Sequence, residues 1–134
     1  MKKMYVTTGC AAALLLFGGV ATNVLADNHG DTSWHNEYRV WSPYDHTPAR
    51  TKINTTAYYN LTTRLSGGDY QNIWAGLYDG TDVSYGHHYR SYVGRSNFLW
   101  NNAVEYYGSG IAVRVNFSSW TNGNADGVWS PDSV

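Results

Sequence analysis

The sequence predicts an all-β protein: an antiparallel β-sandwich of about six to eight short strands after an N-terminal signal helix. Three observations predict it. Two stretches, 53–78 and 97–120, alternate apolar and polar residues with a period of two. Gly, Asn, Asp and Pro clusters separate the apolar runs throughout 27–134. Nowhere in 27–134 do apolar residues recur at i, i+3, i+4 and i+7 over helical length.

The first 26 residues read as a targeting segment. Lys2 and Lys3 form a positive start, Ala11 to Val20 an apolar centre, and Val24-Leu25-Ala26 the small residues of a cleavage site. Gly18, Gly19, Thr22 and Asn23 interrupt the run, which is too short to span a bilayer. The expectation is therefore a signal peptide over 1–26 and a single secreted, extracellular β domain over 27–134, with no membrane span in the mature chain. Cys10 precedes the apolar run, the reverse of a lipoprotein signal, and 27–134 contains no cysteine. A secreted domain without disulfides depends on its packed core. Six Trp and 12 Tyr provide large side chains for one. A formal net charge of −1 argues against a nucleic-acid partner.

In chain order, Asp27 to Thr32 is a polar tail. Ser33 to Trp41 carries Trp34, Tyr38, Val40 and Trp41 and reads as a weak strand. Ser42 to Pro48, with two prolines, reads as a loop. Residues 53–78 read as a hairpin turning at Ser66-Gly67-Gly68. Such a three-residue turn pairs Leu61 with Ile73, Tyr59 with Ala75 and Ala57 with Leu77. A two-residue turn would flip the second strand, since a one-residue slip exchanges its faces. The preferred register leaves Tyr58, Asn60, Thr62, Arg64, Tyr70, Trp74 and Tyr78 on the other face. Four of these, Tyr58, Tyr70, Trp74 and Tyr78, are the candidate ligand-binding residues of an aromatic platform. The competing use of that face is a second packed layer.

Asp79-Gly80 is a tight-turn signal, Thr81 to Tyr85 a short strand, and 86–96 is irregular, anchored by Tyr89, Tyr92 and Val93. Phe98 to Tyr107 is expected to face Ile111 to Trp120 in a second hairpin. A Ser109-Gly110 turn pairs Tyr106 with Val113, Val104 with Val115 and Glu105 with Arg114. Thr121 to Gly127 reads as a turn, and Val128-Trp129 starts a last strand. The expected inward set is Leu61, Ile73, Leu77, Val104, Tyr106, Val113, Val115 and Phe117.

No nucleophile elbow, phosphate loop, dinucleotide fingerprint or His-Glu-x-x-His occurs. Adjacent His87 and His88 point to opposite faces of an extended chain and do not make a metal pair. His35 and Glu37 share a strand face and suit an exposed ion contact. Asn122, Asn124 and Asp126 before Gly127 resemble half a calcium loop but lack its acidic ligands and read as a turn. Asp79, Asp82 and Glu105 are the carboxylates a small hydrolase would draw on. The expectation is no enzyme, no cofactor and no metal.

Leu65 to Gly68, Ile73 to Leu77, Asp82 to Ser84, Arg114 to Asn116 and Gly127 to Asp132 together resemble a family of small secreted Gram-positive bacterial proteins of unknown function. The chain departs from that pattern at Val128 and Ser130-Pro131. The resemblance implies a signal peptide followed by an all-β domain of about 100 residues. It brings no catalytic residue. A looser similarity is to cysteine-free secreted bacteriocins. The expected function is non-enzymatic binding or cell-envelope interaction, with a cell-wall glycan or another envelope protein as partner. A bacteriocin-like role and a small secreted hydrolase are the alternatives.

Overall fold

Period-two alternation does produce strands here, but their partners are not their chain neighbours. The computed structural model describes residues 27–134, so the signal peptide expected over 1–26 lies outside the described residues. In chain order the elements are β1 (Thr32–Tyr38), β2 (Tyr44–His46), β3 (Arg50–Thr51), β4 (Tyr58–Leu65), β5 (Gln71–Leu77), β6 (Tyr89–Ser91), β7 (Ser96–Leu99), α1 (Ala103–Tyr107), β8 (Ala112–Ser118) and β9 (Gly123–Ser130). A four-stranded sheet runs β1-β9-β4-β7, and a five-stranded sheet runs β2-β8-β5-β6 with β3 also on β8. Every pairing is antiparallel. The two sheets pack face to face as the predicted sandwich.

The five-stranded sheet supplies an aliphatic inner face. Ile73, Ala75 and Leu77 of β5 and Val113, Val115 and Phe117 of β8 are buried. The four-stranded sheet answers with Trp34, Tyr38, Tyr58, Leu99, Ala125 and Trp129. Trp34 lies 4.5 Å from Phe117 between ring centroids. Most polar groups inside this core are paired, although Trp129 Nε1 and Asn36 Oδ1 are not. Trp34 Nε1 donates to Asn60 Oδ1 at 3.0 Å. Tyr58 Oη crosses between the sheets to donate to the Gly76 carbonyl at 3.0 Å. A buried chain runs from Asn36 through Tyr38 and Gln71 to Thr62 and Ser91.

The 53–78 hairpin does not form. β4 and β5 belong to different sheets, and 66–70 crosses between them. β4 pairs with β9 and β7, and β5 with β8 and β6. The inward residues of β4 are Tyr58, Asn60 and Thr62, while Leu61 is only half-buried. The expected face was therefore inverted. A strand with a polar inward face reads as facing water unless its buried partners are known.

The second hairpin is corrected in the same way. Residues 96–99 form β7 on β4, and 103–107 form a helical turn. Asn101 Oδ1 accepts the Ala103 amide at 3.2 Å, Tyr106 N donates to Asn102 O, and Gly108, at φ +88°, closes the turn. Tyr106 is thus exposed and Val104 half-buried, and Arg114 pairs with Gly76 rather than Glu105. Smaller corrections follow. The proline-flanked 42–48 contains β2, and 81–85 holds a single bridge, Gly76 with Asp82. The expected 121–127 turn is mostly strand β9. Glycine makes this possible: a Cβ on Gly127 would sit 2.3 Å from the Leu61 carbonyl and 2.5 Å from the Trp34 ring.

One buried ion pair ties remote segments together. Lys52 Nζ lies 2.9 Å from Asp132 Oδ1, and both side chains are fully buried. Lys52 also donates to the Pro131 carbonyl at 2.8 Å and to that of Thr56. The Asp132 carboxylate accepts the backbone amides of Asn28, Ile53 and Asn54.

Candidate ligand-binding face

Strand register decides which side chains share the outer face of the five-stranded sheet. Ile73, Ala75, Val113, Val115 and Phe117 face inward, so the residues between them face outward. Cα pairing then sets these in rows. His46, Asn116 and Trp74 make one row. Tyr44, Ser118, Asn72 and Arg90 make the next. Arg114 lies beside Gly76 on one side of these rows. Tyr70 and Trp120 lie on the other side, just beyond the ends of β5 and β8.

Two grooves open on this face. The first, about 360 Å³, is lined by Tyr44, Asp45, His46, Trp74, Gly80, Arg114, Asn116 and Phe117. The second, about 250 Å³, is lined by 68–70, Asn72 and 118–121. Tyr44 and Trp120, each exposed by about 60%, stand edge to face at 5.7 Å. Trp74 is backed by His88, stacked at 4.5 Å and 9°. His88 Nε2 in turn lies 3.1 Å from Asp82 Oδ2. Burial pushes the Asp82 carboxyl up, but hydrogen bonds from Ser84 and His88 outweigh this and hold it below the usual carboxylate value.

The polar floor is fixed by side-chain contacts. Arg114 Nε donates to Asn116 Oδ1 at 2.9 Å, and Asn116 Nδ2 donates to the Gly80 carbonyl at 3.2 Å. Gly76 makes room for this, since a Cβ there would meet Asn116 Nδ2 at 2.3 Å. Partial burial lowers the Arg114 guanidinium pKa, against the opposing pull of Asp79 and Asp45. Asp45 accepts the Glu37 and His46 backbone amides at 2.9 and 2.8 Å. Flat rings beside fixed amide, hydroxyl and guanidinium groups suit a ligand with apolar ring faces and polar edges.

The four predicted site residues part company. Trp74 lines the first groove and Tyr70 the second. Arg90 lies 4.5 Å over the Tyr70 ring, and Tyr92 packs on it at 5.7 Å. Tyr78 is exposed on the turn after β5, where its carbonyl accepts Arg114 Nη1 at 3.3 Å. Tyr58 belongs to the other sheet and is fully buried, which raises its phenol pKa. It is removed from the platform, because β4 turns its even positions to the core. Tyr44, Trp120, Asn72, Arg114 and Asn116 were missed. The alternation of Val113, Val115 and Phe117 did mark Arg114 and Asn116 as outward. Nothing local marked Tyr44, which lies on a three-residue strand beside a proline.

The other candidates fall elsewhere. His87 Nδ1 contacts the Ser84 carbonyl while His88 contacts Asp82, so the two rings serve separate partners. Asp79 and Asp82 cap their own turn, accepting the Thr81 and Ser84 amides. On the outer face of the four-stranded sheet, His35 sits between Asp126 (2.6 Å) and Glu37 (2.5 Å), and Arg64 Nε reaches Asp126 at 2.6 Å.

A family model described as "Protein of unknown function (DUF2712)" matches residues 22–133. The chain belongs to that family. The DUF2712 match takes in both sheets and every residue of the outward face described above. No curated protein and no solved structure gives a significant match.

Proposed function

We propose that this DUF2712 protein is a secreted, non-enzymatic binding protein that engages cell-envelope carbohydrate through the outer face of its five-stranded sheet. The observation that carries the reading is the row of Trp74, Asn116 and His46 beside that of Tyr44, Ser118, Asn72 and Arg90. Aromatic rings take the apolar faces of sugar rings, and the flanking amides and hydroxyls take their hydroxyl groups. A non-catalytic role fits the carboxylates. Asp45, the carboxylate of the first groove, is occupied by two backbone amides, and Asp79 and Asp82 cap a turn.

The test is sedimentation with insoluble cell-wall glycan. Wild-type protein should co-sediment, and Trp74→Ala should remain in the supernatant with its melting temperature little changed. Retention of a folded Trp74→Ala variant on the glycan would sink the proposal. The bacteriocin-like alternative has one observation in its favour. Val40 and Trp41 are 55% and 83% exposed at a tight turn closed by Arg39 and Ser42, as a lipid-contacting tip would be. Growth inhibition of a strain panel by the purified protein, lost in Trp41→Ala, would decide for it.

A further inference from the structure

The ligand class follows from the layout of the two grooves, and this step rests on the carbohydrate-binding reading above. We propose that the face takes an uncharged polysaccharide chain laid along β5 and β8 across both grooves, rather than a single sugar or an anionic polymer.

The grooves are consecutive, not separate. Asn116 lines the first and Ser118 the second, two residues apart on β8; Trp74 and Asn72 stand in the same relation on β5. At the rise of a strand, each step is about 7 Å, and the face from Trp74 to Tyr70 extends about 13 Å. Aromatic surface recurs along that length at Trp74, at the Tyr44–Trp120 pair and at Tyr70. One sugar ring covers only part of it, while a chain sets successive rings on successive aromatics.

Charge gives an anionic chain no advantage, since Asp45 and Asp69 balance Arg114 and Arg90 on this face. Arg114 shares its groove with Asp45, and its Nε and Nη1 are engaged by Asn116 and Tyr78. The second groove is lined by Asp69, with Arg90 beside it over the Tyr70 ring. A chain of phosphates or carboxylates would meet Asp45 and Asp69 as well as Arg114 and Arg90, with no excess of positive charge to hold it. Hydroxyl and acetamido groups need only neutral donors and acceptors, which the Asn72 amide supplies together with the small exposed edges of Ser118 and Asn116.

Calorimetric titration of the purified protein with N-acetylglucosamine and glucose oligomers tests this. In the better-bound series, the hexamer should bind about tenfold or more tighter than the dimer. Trp120→Ala should lose that gain while keeping dimer binding in the first groove, and inorganic polyphosphate should not displace the hexamer. Tyr44→Ala, which removes a wall of the first groove as well as the junction, should weaken dimer and hexamer alike. Three results would overturn the chain proposal yet leave carbohydrate binding standing. They are equal affinity at all lengths, a Trp120→Ala variant that binds the hexamer as wild type does, and displacement by polyphosphate. Failure of every oligomer to bind would overturn both.

Discussion

At the residue scale, Lys52 and Asp132 carry the greatest consequence for stability. Burial lowers the Lys52 pKa, opposed chiefly by its hydrogen bond and charge contact with Asp132 and further by the charge of Glu105. Removing one partner of such a pair leaves a buried charge uncompensated, which costs about 3–5 kcal/mol. Lys52→Met should lower stability by about that amount in urea titration, and adding Asp132→Asn should recover part of it. His35 gives a second prediction, in pH. Its hydrogen bonds to Asp126 and then Glu37 raise its pKa above 6.5, and the His35 contact holds Asp126 below 3.8. The His35 contribution is fully present below pH 6.5 and is lost as pH rises through the raised value. That of Asp126 is present above pH 3.8 and lost as pH falls through the depressed value. Melting temperature should therefore decline as pH rises above 6.5, and His35→Gln should flatten that decline. An unchanged slope in His35→Gln would remove His35 from the account.

At the element scale, β8 and β4 show what the sequence discloses and what it hides. β8 alternates Val113, Val115 and Phe117 with polar residues and faces an aliphatic strand, so its inward side is legible from hydropathy alone. Val115→Asp should abolish folding, seen as loss of near-ultraviolet dichroism, because it buries a charge without a partner. β4 buries Asn60 and Thr62, which become acceptable only through Trp34, Gln71 and Ser91 from other strands. No local pattern reports those partners. The helix of 103–107 is equally silent, being shorter than two turns and settled by the Asn101 side chain and Gly108. The outward face was half legible for the same reason: Trp74, Tyr70 and Trp120 lie on or just beyond strands read from their alternation, while Tyr44 joins them only through pairing of β2 with β8. β9 adds a steric test. Gly127→Ala should cost about 1–3 kcal/mol, since the new methyl strikes a backbone carbonyl and the Trp34 ring. Gly30→Ala, with nothing within 4 Å, should be neutral in the same thermal melts.

At the scale of the whole molecule, each sheet is assembled from strands far apart in the chain. β9 lies between β1 and β4, and Asp132 just beyond it gathers the amides of Asn28, Ile53 and Asn54. Removal of residues 121–134 should therefore unfold the entire domain rather than fray one edge. The truncated protein should show a dichroism spectrum without sheet and rapid proteolysis throughout. A truncated chain that melted cooperatively would show that the four-stranded sheet stands without its interior strand.

The place of β9 also bears on synthesis. A chain leaving the ribosome from its N-terminus carries β1 and β4 long before the strand that must lie between them exists. Until the residues around 130 emerge, β1 and β4 have no common neighbour, and Asn28, Ile53 and Asn54 have no carboxylate to hold them. The four-stranded sheet thus cannot close until the chain is nearly complete. Once β9 arrives, it closes both sides of its sheet together.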